Sequence, residues 1–545
     1  MTHPSHRSHQ SSSQLVGEFD YVIIGAGSAG CVLARRLVDS GCTVCLLEAG
    51  PKDRSMWIHL PIGYGKTMWH PRFNWRFETE PDPGMNGRRI YWPRGKTLGG
   101  SSAINGLIYI RGQREDYDGW AAAGNPGWSF SEVLPYFVKS ENNERGPDNL
   151  HGASGPLSVS DIGAENELIE ALIGGASELG IPRNPDFNGV TQEGAGYYQL
   201  NTRRGLRCST AVGYLRPIRR DPKLSIRTNA LASRILFEER RAKGVAYFQG
   251  GTERQVRARR EVLLAAGAIQ SPQLLQLSGI GPAELLADKG VPILQASREV
   301  GENLQDHLQF RLIYRCTKPI TTNDELRSLL GRARIGLQWV LSRSGPLAVG
   351  INQGGIFARA LPESPRPDVQ FHCATLSADM AGGKVHPFSG FTLSVCQLRP
   401  QSRGFVRLRS RDPAEPPAMQ PHYLSTPLDR RTAIAAIKLA RSLAATPKMR
   451  RYVAQEMKPG PGIVTDDELL GFARDTGATI FHPSGTCRMG SDPDAVVDPR
   501  LRVKGVEALR VVDASIMPSL VSGNTNAGVV MIAEKASDMI LEEAR

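Results

Sequence analysis

The apolar positions of this chain change period several times, and each change marks an element. Phe19–Ile24 is a short run rich in strand formers, and it ends in the turn Gly25–Gly30, GAGSAG. Cys31–Val38 then takes helical spacing and stops near Gly41. Thr43–Leu47 is a second short apolar run, closed by Glu48. Strand, glycine turn, helix and strand predict the opening of a doubly wound α/β domain. Residues 224–266 read as strands and hairpins ending in EVLLAAGA, with a helix starting after Pro272. Near residue 506 a strand returns, ALRVVDAS, followed by the loop GNTNA and a last helix over Val529–Glu543. That return implies a discontinuous first domain. Residues 306–470 lack glycine signatures and hold strand-like runs such as Gly404–Leu408, so they read as a second domain. Residues 51–95 show no clear period but carry Trp57, Trp69, Trp75, Tyr91 and Trp92, the pattern of a functional cover.

Composition narrows the class. The chain has 545 residues, 40% of them hydrophobic and 22% charged, enough for a large core without disulfides. No apolar run approaches the roughly 18 residues of a transmembrane helix. Net charge is +12, but the basic residues are scattered and no nucleic-acid motif accompanies them. The charge is compatible with peripheral contact at an anionic inner membrane. Eight sparse cysteines, mostly in apolar stretches, predict reduced core thiols and a cytoplasmic protein. Cys42 and Cys45 form a lone C-x-x-C with no second pair for zinc, and no metal site is expected. Residues 1–17, with His3, His6 and His9, have no apolar signal core and read as a disordered tail.

Gly25, Gly27 and Gly30 fit the G-x-G-x-x-G dinucleotide fingerprint. The first permits the turn, the second admits a pyrophosphate, and the third lets helix and strand pack closely. Ala26, Ser28 and Ala29 fill the loop at the helix N-terminus, where free N–H groups favour anions. Glu48, with Ala49 beside it, ends the next strand 18 residues after Gly30 and is placed to accept from a ribose diol. The fingerprint does not separate NAD from FAD.

Five further stretches carry a resemblance. They are GKTLGGSSAINGLIYIRG (95–112), GAIQSPQLLQLSGIG (267–281), GENLQDH (301–307), HPSGTCRMG (482–490) and VVDASIMPSLVSGNTNAGVVMIAE (511–534). In this order they resemble the glucose–methanol–choline oxidoreductases, with matches from residue 19 to about 540. Within that family the chain looks most like bacterial choline dehydrogenases and acceptor-linked dehydrogenases of aliphatic alcohols. The stretch 57–75 favours the latter.

The resemblance implies an α/β protein, α+β overall. A discontinuous Rossmann-like FAD-binding domain spans 18–158, 206–305 and 480–545. A substrate-binding domain with a mainly antiparallel sheet spans 159–205 and 306–479. The implied reaction oxidises an alcohol to a carbonyl compound and passes electrons to a quinone or other carrier. Oxygen-using oxidases and flavin-containing lyases share the scaffold and are the alternatives. Primary alcohols are the expected substrates, with choline the named alternative. Some members tether FAD through a His in the glycine-rich segment; here Ile104 stands at that place, so non-covalent FAD is implied.

Alcohol oxidation needs a base for the hydroxyl proton, and His is the natural one. The resemblance places His482 in that role and Asn526 as the residue that orients the substrate oxygen. It also implies that Gly99, Gly100, Ser101, Asn105, Gly106, Leu107 and Ile108 wrap the flavin, that Trp92 and Leu98 also contact the cofactor, and that Thr97 is a candidate phosphate contact. Arg94 reads as a phosphate contact or a surface charge. Ala232 is expected at the adenine, Asp513 and Ala514 at the ribityl and phosphate region, and Asn526 and Ala527 at the flavin beside the last helix. His307 reads as a residue behind the site. Cys396 and Cys487 read as packing.

Overall fold

The computed structural model describes residues 14–163, 165–380 and 382–544. Its first sheet forms around Gln14–Ile24, which pairs in parallel with Val44–Glu48 on one side and Thr252–Leu264 on the other. Leu224–Thr228 extends the sheet beyond Val44–Glu48, again in parallel. Leu509–Val511 adds to Thr252–Leu264, so the chain's end rejoins the sheet it began. Ala230–Glu238 and Arg241–Gln249 complete it as an antiparallel meander. Val22, Ile23, Val44, Cys45 and Leu46 are fully buried, as expected of central parallel strands covered on both faces.

The first strand begins earlier than its apolar run. Residues 14–17, read from the sequence as tail, pair with the edge of Thr252–Leu264, Gln14 opposite Arg254 and Leu15 opposite Gln255. Backbone hydrogen bonds hold this extension while its side chains are largely exposed, so no apolar pattern announces it. His3, His6 and His9 lie outside the described residues.

Helix Ser28–Asp39 follows the glycine turn and buries Val32, Leu33, Leu37 and Val38. It packs against the last helix, Asn526–Glu543, where Arg36 makes two 2.7 Å bonds to Glu534. The helix expected after Pro272 in fact spans Gly267–Leu277, with Pro272 inside it. Proline lacks the N–H that would bond Ala268, and the Thr486 hydroxyl takes that carbonyl instead, at 2.6 Å.

The second sheet is antiparallel, in the order Val453–Lys458, Leu308–Cys316, Gly390–Gln397, Val369–Ala374, Asn352–Ala358 and Gly194–Tyr197. Ala478–Thr479 pairs with the start of Leu308–Cys316. Each sheet has its own hydrophobic core. All eight cysteines are buried and unpaired. No described helix is long and apolar enough to cross a membrane, and no described cluster of His, Cys, Asp and Glu could hold a metal.

Candidate active site

One cavity is lined both by the glycine turn and by the loops that carry His482 and Asn526. At its nucleotide end a Cβ on Gly30 would stand 1.9 Å from the Gly25 carbonyl oxygen, so only glycine lets the helix sit so close. A Cβ on Gly27 would meet nothing within 4 Å. That open space above a helix N-terminus fits a pyrophosphate. Gly100 approaches from the glycine-rich segment, and its Cβ would lie 2.6 Å from the Gly27 Cα. Glu48 accepts from the N–H groups of Ala26 and Gly50, at 3.0 and 2.8 Å. Burial nonetheless pushes its carboxyl up to about 7.

Of the other expected contacts, Gly25, Ser28, Ala29, Ala49, Arg94, Ser101, Asn105, Gly106, Leu107, Ile108, Ala232, Asp513 and Ala514 line the cavity. Ile104 lines it too. Ala26, Gly30, Trp92, Thr97, Leu98, Gly99 and Ala527 do not line it. They build the layer behind the wall. The Gly99 N–H donates to the Ala26 carbonyl at 2.7 Å, the Thr97 hydroxyl donates to Pro51, and Trp92 packs against Tyr423 in the second core. Of the five aromatics expected as a cover, Trp75 alone faces the cavity; Tyr64 and Met68 join it from the same segment.

Arg94 is no surface charge. It is half-buried and donates to the Phe481 carbonyl at 2.8 Å. Phe481 has φ of +72°, a left-handed conformation that costs a bulky residue energy. The turn is held from three sides: by Arg94, by Thr479, which accepts from the Phe481 N–H at 2.7 Å, and by Asp306, which accepts from the His482 N–H at 2.7 Å. Ser484 and Gln305 exchange backbone bonds, so HPSG lies along NLQDH. Two motifs far apart in sequence become one support.

His482 meets His307 and Asn524. Its Nδ1 is 2.9 Å from His307 Nδ1, and its Nε2 is 3.3 Å from Asn524 Nδ2. The tautomers follow from the ends of the chain of bonds. The Leu398 carbonyl can only accept, so His307 Nε2, 2.9 Å away, carries the hydrogen. Burial lowers the His307 pKa to about 4, so the ring is neutral and its Nδ1 accepts. His482 must then donate from Nδ1, which leaves a lone pair on Nε2. Burial, then the neighbouring His307, His372 and Arg94, hold His482 well below the usual histidine range.

Asn524 is fixed in the same way. Tyr198 donates to the Phe371 carbonyl at 2.6 Å, so it accepts from Gln370 Nε2 at 3.0 Å. Gln370 Nε2 also donates to Asn524 Oδ1 at 3.1 Å, which turns the Asn524 amide nitrogen toward His482. Asn526, expected in this place, points elsewhere: its Oδ1 accepts from the Ser28 hydroxyl at 2.7 Å. It is the first residue of the last helix, so its side chain faces the dinucleotide turn, while Asn524 lies in the loop before it. His372 completes the wall. Asn524, His372 and Gln370 are absent from the sequence reading. For Asn524 a signal existed, since GNTNA offers two asparagines.

The chain matches the GMC oxidoreductase family over residues 19–309 and again over 400–533. The chain is a GMC oxidoreductase. This GMC oxidoreductase is 44% identical over 531 residues to the alcohol dehydrogenase [acceptor] of Pseudomonas putida, covering 96% of each chain. It is 43% identical over 533 residues to the mitochondrial choline dehydrogenase of Mus musculus, covering 96% of this chain and 89% of that one. An FAD-dependent oxidoreductase from Chaetomium thermophilum superposes with a TM-score of 0.88 at 27% identity, covering 97% of this chain and all of that one. The two-sheet architecture and the flavoprotein class thus rest on the whole chain.

Proposed function

We propose that this GMC oxidoreductase oxidises a primary alcohol to the aldehyde, with His482 as the base and Asn524 orienting the substrate oxygen. The carrying observation is the bond sequence Leu398, His307, His482, which leaves the His482 Nε2 lone pair beside the Asn524 amide. A hydroxyl seated between them donates to His482 Nε2 and accepts from Asn524 Nδ2. His482 takes the proton as the C–H bond breaks. Asn524 holds the oxygen as charge grows on it.

FAD, when bound, supplies the acceptor for the hydride equivalent. The open space at Gly27, the N–H groups at Ser28 and the Glu48 carboxylate fit its pyrophosphate and ribose. Ile104 offers no nucleophile, which supports non-covalent binding. Electrons leave to a quinone or another carrier.

The charge of the cavity favours neutral alcohols over choline. Among the described residues its lining acids are Glu48 and Asp513. Both are engaged by N–H or hydroxyl donors, Asp513 by Gly267, Ser271 and Ser515. Arg311 also lines the wall, with its Nε unpartnered. The carboxylate beside His482, Asp306, accepts from the His482 N–H and does not line the cavity, so among the described residues a quaternary ammonium finds no lining carboxylate on that side.

Anaerobic titration with 1-butanol and choline tests the reading. The butanol should bleach the flavin band at the lower concentration. His482→Ala should keep the flavin and slow bleaching at least about a hundredfold. Unslowed bleaching in that variant would remove His482 from the chemistry, and tighter use of choline would reverse the substrate order.

A further inference from the structure

Helix Leu329–Ser342 is built inside out. Its buried anchor is Ile335, 3% exposed, and Trp339 ties its end to the Thr202–Arg207 hairpin through a 3.2 Å bond to the Gly205 carbonyl. Five of its other apolar residues face away from the protein. Leu329 is 82% exposed, Leu330 81%, Leu337 58%, Val340 62% and Leu341 76%. At roughly 100° per residue these five share one arc of about 120° on the side opposite Ile335. Arg332 and Arg334 flank that arc, one on each side, and both are exposed. Arg327 precedes the helix's first turn, and Arg343 ends it with its guanidinium 3.9 Å from the Trp339 ring. From Leu326 to Pro362 there is no acidic residue.

An exposed leucine face of this size needs a covering. Charge decides which. A second copy docking through the same face would set these arginines against one another, since a two-fold contact is self-complementary. The nearest acids, Asp324 and Glu325, lie 3.9 Å from Arg327 and 3.4 Å from Arg334, and they leave the segment from Thr322 to Arg343 at net +2. The occupant must therefore be apolar in its interior and anionic at its surface. A leucine arc rimmed by arginines is the pattern of a helix lying in the interface of a bilayer, with long cationic side chains reaching the headgroups. The hairpin that holds the helix also carries Arg207, which grips the Ile58 carbonyl at 2.8 Å in helix Met56–His59. Met56 and Trp57 of that neighbour are 60% and 42% exposed.

We propose that helix Leu329–Ser342 docks the protein on an anionic phospholipid bilayer through its outward leucine arc. The inference does not depend on which alcohol is oxidised. Its test uses the full-length holoprotein and sedimentation with vesicles of phosphatidylcholine, alone or with about one-third phosphatidylglycerol. The protein should bind the mixed vesicles, and added salt should weaken binding. Leu330→Glu/Leu337→Glu/Leu341→Glu should lose at least about tenfold in vesicle affinity, with flavin absorbance and melting temperature unchanged. Arg332→Gln/Arg334→Gln should remove much of the salt-sensitive part while leaving the fold intact. Three results would overturn the proposal: no vesicle binding by the native protein, equal binding by the triple-Glu variant, or light scattering that shows copies dimerising through this face.

Discussion

His482 owes its free Nε2 to two groups behind the cavity wall, His307 and the Leu398 carbonyl. Asn524 owes its orientation to Gln370. Replacing Asn524 by Ala removes the donor to the substrate oxygen and should slow flavin reduction by about a hundredfold in anaerobic stopped flow. Replacing Asn526 by Ala only deprives Ser28 of its acceptor, so reduction should stay within about fivefold of normal. The opposite ranking would return the orienting role to Asn526. Sequence alone singled out His482, which the structure sets in the cavity wall, because a long motif carries it. It named Asn526 where the structure sets Asn524 beside His482, because a loop has no period and two residues of shift turn the side chain toward Ser28 instead. Glu48 adds a pH dependence. Its buried carboxyl titrates near 7, and the ionised form is the one that accepts from a ribose diol. Diol binding lowers that pKa, so FAD affinity is present above pH 7 and is lost as pH falls through it. The FAD dissociation constant of apoprotein, measured against pH, should rise on the acid side, and Glu48→Gln should flatten that rise.

At the scale of elements, the first and last helices are joined by a charge that the core cannot hold alone. Glu534 is fully buried and accepts from Arg36 twice and from the Tyr214 hydroxyl at 2.8 Å. Arg36 keeps 21% of its side chain exposed, so its own loss of partner is partly compensated by water. Glu534→Ala should destabilise the protein by about 2–3 kcal/mol, less than for a fully buried pair, read by chemical denaturation. A change near zero would mean that the helices are held by their apolar faces alone. The pair is invisible in the sequence, since its partners stand 498 positions apart. The helix Gly267–Leu277 was legible only in part for a related reason. Pro272 reads as a start, and the Thr486 hydroxyl that makes an interior proline tolerable comes from another motif.

For the whole molecule, the cleft proposed for FAD is a joint between two sheets, and that separates folding from loading. The alternation of strand, glycine turn and helix made the first sheet readable. The second sheet gave only scattered strand-like runs, because its strand Gly390–Gln397 is buried along its whole length and so does not alternate. Loading draws on both. Gly25–Gly30 comes from the first sheet, and the turn before His482 leaves a strand of the second. Ligand bound to the folded state alone raises stability by mass action, by about 4 kcal/mol at a thousandfold excess over its dissociation constant. Apoprotein should therefore melt at a higher temperature when FAD is added. Two glycine variants divide the causes. A side chain at Gly27 enters open space, so Gly27→Val should melt like native apoprotein and show no rise with FAD. A side chain at Gly30 strikes the Gly25 carbonyl at 1.9 Å, so Gly30→Val should melt lower before any FAD is added. Equal apoprotein melting in both variants would mean that the glycine turn yields freely and that its close packing does not set the first sheet's stability. A normal FAD response in Gly27→Val would move the pyrophosphate away from that turn.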